Sequence, residues 1–433
     1  MTTQTKQWGA IIIMIALFAM IAFVTNLCSP MAIIVKNQFG ASDLLAQVGN
    51  YGNFIAYLVM GIPSGLLIKK VGYKKTALIA LLVGIAGILV QWLSGWDTVQ
   101  SFGVYLIGAF IAGFCMCMLN AVVNPMLNTL GGGGNKGNQL IQIGGVFNST
   151  AAVAVYIIMG ALIGDAAKAK IADATPALFI ALGIFILAFV VILFSKIEEP
   201  EQAVEEAAST TKDSHSAFSF RHFKLGILAI FLYMGIEVGV PTYVLQYLTA
   251  NPTDAVPGLG MDASIAGLIV AVYWLMMLVG RFVGGSIAGK ISSQKMITFV
   301  SLASFILVAF GMFAPSDVMV SVPGIDWANV SLIWAEVPVG IFAFLLVGLC
   351  TSVMWGGIFN MAVEGLGKYT SIASGAFMTM VFGCAVMVAI QAWIAGVAGS
   401  YLTSYVVVLG CAAYILWYAL AGYKNVNTDI KVD

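Results

Sequence analysis

Charged side chains are scarce in this sequence, and their scarcity argues against a soluble globular protein. Asp, Glu, Lys and Arg make up 9% of the 433 residues, whereas hydrophobic residues make up 61%. Soluble domains usually carry about 25% charged residues. A chain of this length with so few polar residues cannot build the polar coat that a water-exposed surface needs. The remaining environment is lipid, and we therefore predict a membrane protein.

Several chemical signatures are also missing. The chain shows no basic stretch typical of nucleic-acid binding, no Ser/His/Asp grouping, no metal-ligand cluster and no phosphate-binding loop. We therefore predict no enzyme, no metal, no cofactor and no nucleic-acid partner. The first apolar run is too long for a cleaved signal and lacks a small-residue cleavage site, so we expect it to remain as helix 1. Neither zinc nor redox spacing links the six cysteines, which we interpret as buried small hydrophobic residues: Cys28, Cys115, Cys117, Cys350, Cys384 and Cys411.

What the sequence has instead is a series of apolar runs. A helix needs about 20 residues to cross the hydrocarbon, and a backbone in lipid must satisfy its own hydrogen bonds. The alternating pattern of a membrane barrel, with strands of about ten residues, is absent. We predict an all-α membrane protein with twelve transmembrane helices, at 8–35, 44–68, 76–93, 102–126, 140–163, 177–195, 225–248, 264–288, 296–313, 339–363, 372–397 and 401–423. Helix 10 could begin near Val330, because "VSLIWAEVP" is itself mostly apolar.

The distribution of Lys and Arg predicts the orientation, since cytoplasmic loops carry an excess of both. With the N-terminus in the cytoplasm, fifteen of these residues lie on the inner side and three on the outer side, and Arg281 lies within helix 8. This bias predicts a multi-pass protein of the cell (inner) membrane with both termini in the cytoplasm. It also supports the number of helices, because a missed helix would place the Lys- and Arg-rich loops that follow it on the wrong side of the membrane.

One charged insert divides the twelve helices into six and six. We predict an N-terminal half at 1–195, a cytoplasmic linker at 196–224 and a C-terminal half at 225–433. The loops "GLLIKKVGYKK" from Gly65 and "GSIAGKISSQK" from Gly285 lie 220 residues apart and place Lys at matched positions. Two six-helix halves related by an axis along the membrane normal are typical of the major facilitator fold.

Glu237 is the only charged residue between Leu225 and Leu248. A charge at mid-bilayer costs about 2.5–3.5 kcal/mol on the lenient insertion scale, so such residues usually line a cavity, are paired or are protonated. Glu237 lies about 18 Å along helix 7, close to the midplane where transporters bind their solutes. We predict that it carries a proton or accepts a hydrogen bond from a polar solute. The alternative is a structural ion pair with Arg281, at a similar depth on helix 8.

Amide side chains form a second group of candidates. Asn120, Asn124 and Asn128 follow one another at four-residue spacing and share a helical face if helix 4 continues that far. Helix 5 adds Asn148 and helix 1 adds Asn26. Amides both donate and accept hydrogen bonds, which suits the recognition of hydroxyl groups. The alternative is that they join helices to one another, as is common in membrane bundles.

Aromatic residues near the same depth include Tyr243, Tyr273, Trp274 and Trp355. Sugar sites commonly combine an aromatic face with a rim of amides. The alternative for each of these residues is packing or anchoring at the membrane interface. We select Tyr243, Tyr273 and Trp355, with Asn26, Asn120, Asn124, Asn148 and Glu237, as candidate solute contacts.

Several stretches resemble one transporter family. "GLLIKKVGYKK" resembles the loop 2–3 signature of the major facilitator superfamily, with Lys69 where aspartate is usual. "NAVVNPMLNTLG", "QIGGVFNS", "LAIFLYMGIEVGVPTYVL", "YWLMMLVGRFVG" and "IFNMAVEGLGKYTSIASG" together resemble the fucose–galactose–glucose/proton symporter family. The resemblance implies proton-coupled uptake of monosaccharides. Better-known members carry carboxylates on helices 1 and 4. In this chain helix 1 has no carboxylate, only neighbours such as Asn26 and Ser29, and helix 4 has Asn120 at the position that matches the glutamate, so Glu237 is the carboxylate left for coupling.

We therefore predict a secondary transporter, a monomer in the lipid bilayer, that takes up a monosaccharide with protons by alternating access. Its halves rock around a midplane site, and Glu237 couples the proton. The alternatives are a sugar facilitator without ion coupling and an exporter of amphipathic compounds. The exporter would have a cavity lined by apolar and Met side chains, against which the row of asparagines argues. A sensor or scaffold would need a larger soluble domain than this chain offers.

Overall fold

A computed structural model describes residues 7–40, 43–163, 170–197, 215–326, 329 and 331–432. The predicted linker falls largely outside these ranges, since residues 198–214 are not among them. Apolar runs without alternation form long helices, because a helix satisfies its own backbone hydrogen bonds. The first nine are α1 Trp8–Phe39, α2 Asp43–Val71, α3 Tyr73–Leu93, α4 Phe102–Leu130, α5 Gly134–Ile163, α6 Thr175–Phe194, α7 Arg221–Thr249, α8 Ala263–Ile287 and α9 Ser293–Phe313.

The remaining elements are shorter, because the predicted helices 10 and 11 are interrupted and helix 12 changes helix type along its length. Helix 10 consists of α10 Val339–Thr351 and α11 Met354–Val363, and helix 11 consists of α12 Thr370–Thr379 and α13 Gly383–Ala398. Helix 12 is α14 Val406–Trp417, continued by a π-helical turn at Tyr418–Gly422. Two strands, β1 Met319–Asp326 and β2 Ser331–Pro338, precede α10.

The structure confirms the predicted fold class. All twelve predicted segments fall on helices, and eleven stretches of the described residues are long and apolar enough to cross a membrane, with α5 the helix outside that set. Helix 4 continues to Leu130, so Asn128 lies within it. Helix 7 begins at Arg221, four residues before its predicted start. The five cysteines whose side chains are described are buried and free.

The prediction that helix 10 could begin near Val330 is wrong. That segment is β2, which pairs antiparallel with β1 from Met319 opposite Pro338 to Asp326 opposite Ser331. Pro338 then directly precedes α10. A residue before a helix is a natural position for proline, which lacks the N–H that a ladder or helix interior would need. Leu332 and Trp334 of β2 are exposed.

The chain forms two compact units. The first comprises Met1–Phe220, Val363–Thr379 and Asn427–Asp433, and the second comprises Arg221–Ala362 and Met380–Val426. The first unit thus includes α12, which the predicted division assigns to the C-terminal half. That division rests on the sequence repeat and stays a prediction.

Within the first unit, α12 packs against α2 and α4 at small residues. A Cβ atom added to Gly65 would lie 2.7 Å from the carbonyl oxygen of Ser371, and one added to Gly375 would lie 2.7 Å from the backbone nitrogen of Gly65. Glycine is therefore required for the backbones of α2 and α12 to approach so closely.

Pro125 determines a second contact of α12. Proline has no N–H, so the carbonyl group of Ala121, four residues earlier, loses its partner within α4. The Ser374 hydroxyl of α12 donates a hydrogen bond to this oxygen at 2.9 Å. The packing of α12 thus satisfies an acceptor that the proline leaves open.

In the second unit, aromatic residues fill the space between α7, α10 and the segment before α14. The ring of Tyr405 stacks on that of Phe344 with centroids 3.9 Å apart and planes 10° from parallel. Its hydroxyl group donates to the carbonyl oxygen of Val240 at 2.8 Å. This packing fixes α7, the helix that carries Glu237.

Candidate functional site

Glu237 and Arg281 lie together in the second unit. Nη2 of Arg281 is 3.8 Å from Oε1 of Glu237, and the two side chains are 13% and 14% exposed, respectively. Helices 7 and 8 are neighbours, so the pairing that the sequence left open is present. The distance is longer than a hydrogen bond. The two groups form a loose ion pair whose side chains are both partly exposed.

The pair sits beside two aromatic residues. Tyr233 lies one turn before Glu237 on α7 and is fully buried, and its hydroxyl group interacts electrostatically with Glu237 and Arg281. This hydroxyl makes no hydrogen bond of acceptable geometry with any described residue. The ring of Trp355, on α11, lies 6.3 Å from the Tyr233 ring at an angle of 56°. Trp355 is partly exposed. The ion pair, the Tyr233 hydroxyl group and the ring of Trp355 therefore form one cluster.

Pro241 adds a backbone acceptor next to this cluster. Proline at position 241 removes the N–H that would bond to the carbonyl oxygen of Glu237, four residues earlier. The backbone of Glu237 therefore lacks its usual helical partner. Helix α7 nevertheless continues through Pro241 to Thr249, so the proline frees one carbonyl group without ending the helix.

The two predicted tyrosines are packed within the second unit. Tyr243 is buried, and its hydroxyl group donates to the carbonyl oxygen of Val388 on α13 at 3.0 Å. Tyr273 is also buried and shares a hydrogen bond of 3.1 Å with the Thr351 hydroxyl. Both hydroxyl groups are thus engaged by protein, and the assignment of the tyrosines as solute contacts stays a prediction.

The first unit contains the predicted amides of helix 4. Nδ2 of Asn120 donates to the Tyr57 hydroxyl of α2 at 2.7 Å and to the carbonyl oxygen of Met116 at 3.2 Å. Nδ2 of Asn124 donates to the carbonyl oxygen of Asn120 at 2.9 Å, and Asn124 is fully buried. The amide nitrogens therefore join or brace helices, as the alternative interpretation proposed. The Oδ1 atom of Asn120 accepts no hydrogen bond from a described residue.

Asn148 and Asn26 lie on the α1–α5 side of the same unit. Nδ2 of Asn148 donates to the carbonyl oxygen of Phe18 on α1 at 2.8 Å, which links α5 to α1. Nδ2 of Asn26 donates to the carbonyl oxygen of Ala22 within α1 at 2.8 Å. Both residues are partly exposed. Both side chains are thus partly exposed, although their Nδ2 atoms donate hydrogen bonds to backbone carbonyl oxygens.

Sequence reasoning missed two residues of these clusters, Tyr57 and Tyr233. The four-residue spacing between Tyr233 and Glu237 was available as a signal, because residues at i and i+4 share a helical face. No comparable signal exists for Tyr57, which meets Asn120 across a helix contact. The described residues contain no group of His, Cys, Asp or Glu that could hold a metal ion.

A hollow of about 470 Å³ lies along α13, lined by Phe382, Ala385, Val386, Ala389, Ile390 and Trp393. These side chains fall on one helical face and are mainly apolar. The hollow therefore offers almost no hydrogen-bonding groups for a polar solute and is separate from the clusters described above.

Known proteins resemble the chain over nearly its full length. A glucose/galactose transporter of Brucella abortus (strain 9-941) is 28% identical over 98% of this chain and 97% of the relative. The L-fucose-proton symporter of Escherichia coli K12 is 20% identical over 93% and 91% of the two chains. The crystal structure of the transporter FucP in its outward conformation matches with a TM-score of 0.77 and 19% identity, covering 95% and 97% of the two chains.

The structural match at this identity shows the fold. The family assignment comes from the sequence, because the model of the Major Facilitator Superfamily matches residues 13–390, which is most of the chain. This protein therefore belongs to the Major Facilitator Superfamily of multi-pass membrane transporters and is not an enzyme.

Proposed function

We propose that this chain takes up a monosaccharide together with protons by alternating access. One observation carries the coupling: Glu237 is the only acidic residue in the eleven described spans, and its side chain is accessible and paired with Arg281. The relatives named as a glucose/galactose transporter and an L-fucose-proton symporter support the substrate class and the proton.

Glu237 is the proposed coupling group. A carboxylate removed from bulk water holds a proton more readily, whereas a neighbouring cation favours its ionised form. These opposing effects make Glu237 responsive to a small change in its surroundings. A solute that alters the contact with Arg281 thereby alters the affinity of Glu237 for a proton, which is the linkage that symport requires.

The amides are the proposed sugar contacts. Asn120 and Asn26 each use Nδ2 for protein contacts and keep Oδ1 without a donor among the described residues. Each therefore offers an acceptor for a sugar hydroxyl group. Trp355 provides a partly exposed aromatic face for the apolar side of the ring. Asn124, Asn148, Tyr243 and Tyr273 complete the proposed set.

We further propose that the protein is a monomer of the cell (inner) membrane with both termini in the cytoplasm. The bias of Lys and Arg toward alternate loops supports this orientation.

The test uses purified protein in liposomes. A thermal-shift screen of monosaccharides identifies a binding sugar, and uptake of that sugar is then measured with an inward proton gradient. We expect Glu237→Gln to abolish proton-driven accumulation while sugar exchange across the membrane continues, because an amide that takes up no proton cannot link the sugar to the proton gradient. The matched control is Glu336→Gln, which removes the same charge from the exposed surface of β2. If Glu237→Gln accumulates sugar as the wild type does, Glu237 is not the coupling group. If no monosaccharide binds, the substrate class is wrong.

A further inference from the structure

We infer that the C-terminal tail, Asn427–Asp433, is a strap that holds α12 against α2 and α4 and opposes the separation of these helices during transport. This role lies outside the candidate site and rests on the proposed alternating-access function. The first unit contains both α12 and the tail, although both come from the end of the sequence. α12 leads into α13 and the tail follows α14, and both of those helices belong to the second unit.

The tail binds the loop that leads into α12. The backbone N–H of Lys368 donates a hydrogen bond to the carbonyl oxygen of Val432 at 3.1 Å. Gly367 has a φ of +48°, and a Cβ atom added there would overlap this oxygen and lie 2.8 Å from the Cβ atom of Val432. Glycine therefore permits both the backbone conformation and the close approach of the tail. The Thr370 hydroxyl donates to the carbonyl oxygen of Gly367 at 2.7 Å, so the contact with the tail lies at the start of α12.

The tail itself packs with one side against the protein. Ile430 and Val432 are partly buried, whereas Asp429 and Lys431 are exposed. This alternation is typical of an extended chain with one face on the protein. Chain termini usually fray unless they are tied down, so the contacts of Val432 are what orders the tail.

The end of the linker packs on the same loop. The rings of Phe220 and Tyr369 have centroids 5.7 Å apart and planes inclined by 52°, and both residues are buried. Leu366, earlier in the loop, is fully buried. The loop before α12 is therefore fixed within the first unit by the linker and the tail together.

α12 lies between two breaks in the helical backbone. The loop with Gly367 precedes it, and a 3₁₀ turn at Met380–Phe382 separates it from α13. A stretch of 3₁₀ helix within a longer helical segment often marks a hinge. Four of the ten residues of α12 carry hydroxyl groups, so water can hydrate this helix when it leaves its neighbours. The helix is thus suited to move as a separate piece.

Alternating access makes this movement necessary. The predicted halves rock relative to each other during transport. α12 and the tail are joined by the chain to helices of the second unit but pack within the first, so the motion has to release both attachments. Because the tail contacts the loop directly before α12, it determines how readily α12 leaves α2 and α4.

Hydrogen–deuterium exchange of the protein in lipid nanodiscs, followed by mass spectrometry, tests this role. A stop codon in place of Asn427 removes the tail. We expect the amides of α12 to exchange about tenfold faster without the tail, because local opening sets the exchange rate of weakly held segments. The amides of α13, in the second unit, serve as the internal reference and should be unchanged. Equal exchange of α12 in both proteins overturns the proposed role of the tail.

Glycine variants test the contact in the full-length chain. Gly367→Ala places a Cβ atom on the Val432 carbonyl oxygen and should also accelerate the exchange of α12. Gly134→Ala is the matched control, because Gly134 has a φ of +51° and a Cβ atom there meets no described atom within 4 Å. It carries a similar backbone cost without touching the tail, so α12 should exchange at the wild-type rate. Equal effects of the two variants on α12 would contradict the strap.

The combination of both changes separates the tail contact from a general loss of stability. Once the tail is absent, Gly367→Ala has no Val432 oxygen to displace. It should then accelerate the exchange of α12 by less than about twofold beyond truncation alone, since two changes to one contact are not additive. Full additivity would show that the alanine acts on the loop alone, and the tail would have no hold on α12.

Thermal unfolding checks the folding of each variant. If the truncated protein does not fold, the two full-length glycine variants decide the question. None of the exchange measurements needs a sugar, so the two proposals can fail separately. Faster exchange of α12 without proton-driven uptake of any sugar overturns the proposed function and leaves the hold of the tail on α12 intact. Proton-driven uptake with unchanged exchange of α12 does the reverse.

Discussion

At the scale of single residues, the ion pair of Glu237 and Arg281 explains why a chain so poor in charge keeps two at membrane depth. Removing one partner of a fully buried pair costs about 3–5 kcal/mol, since the other is left uncompensated. Both side chains are partly exposed, which lowers that cost. The pair therefore tolerates the loss of one charge during transport better than a sealed pair would.

The Asn120–Tyr57 hydrogen bond is expected to contribute to both the stability of the protein and its affinity for sugar. Tyr57→Phe removes the acceptor at 2.7 Å, so Nδ2 of Asn120 keeps only its bond to the Met116 carbonyl. We expect the free energy of unfolding to fall by about 1 kcal/mol and the affinity for the transported sugar to fall several-fold. Thermal unfolding and sugar titration measure the two effects.

The control for this variant is Tyr247→Phe. Tyr247 is partly exposed near the end of α7, and no hydrogen bond of its hydroxyl group is found among the described residues. Equal effects of the two variants on sugar affinity would show that the hydrogen bond to Asn120 has no role in binding.

At the scale of elements, prolines inside helices create acceptors that other groups occupy. Pro125 opens the Ala121 carbonyl, which Ser374 on α12 caps, and Pro241 opens the Glu237 carbonyl beside the ion pair. An acceptor capped by another helix ties two elements together. A proline inside a helix therefore has two different outcomes here. Pro125 stabilises the contact between α4 and α12, whereas Pro241 leaves a carbonyl group next to Glu237 and Arg281.

The Ser374 contact yields a double-mutant prediction. Ser374→Ala leaves the Ala121 carbonyl buried without a donor and should lower the free energy of unfolding by about 1–3 kcal/mol. Pro125→Ala restores the N–H within α4, so Ser374→Ala should cost much less in that background. Chemical or thermal unfolding of the four proteins measures the coupling. Additive effects of the two substitutions would refute this account of Pro125.

At the scale of the whole molecule, the bias of positive charges predicts the orientation in the membrane. Fifteen Lys and Arg residues fall on one side and three on the other. We expect a fluorescent protein fused after the C-terminus to fluoresce and an alkaline phosphatase fused there to be inactive, because both report a cytoplasmic location. Fusion in the loop between β1 and β2 should give active phosphatase. The reverse pattern would overturn the predicted orientation.

The sequence by itself determined that the protein is a bundle of membrane helices and which of its residues are chemically unusual. Lipid offers the backbone no hydrogen bonds, so apolar runs of sufficient length have to form helices. Lipid also disfavours charged side chains, which is why Glu237 stood out within its apolar segment. Helix ends were less certain, and α4 continues past its predicted end to include Asn128.

Only the tertiary structure decided which side chains meet. The bonds of Asn120 to Tyr57, Asn148 to Phe18 and Ser374 to Ala121 all join different helices. Such contacts depend on the rotation and crossing of helices, which small residues such as Gly65 and Gly375 permit. The sequence could not decide for a related reason whether the segment of β2 forms a helix or a strand. A short apolar run has the same hydropathy in both, and only pairing with β1 selects the strand.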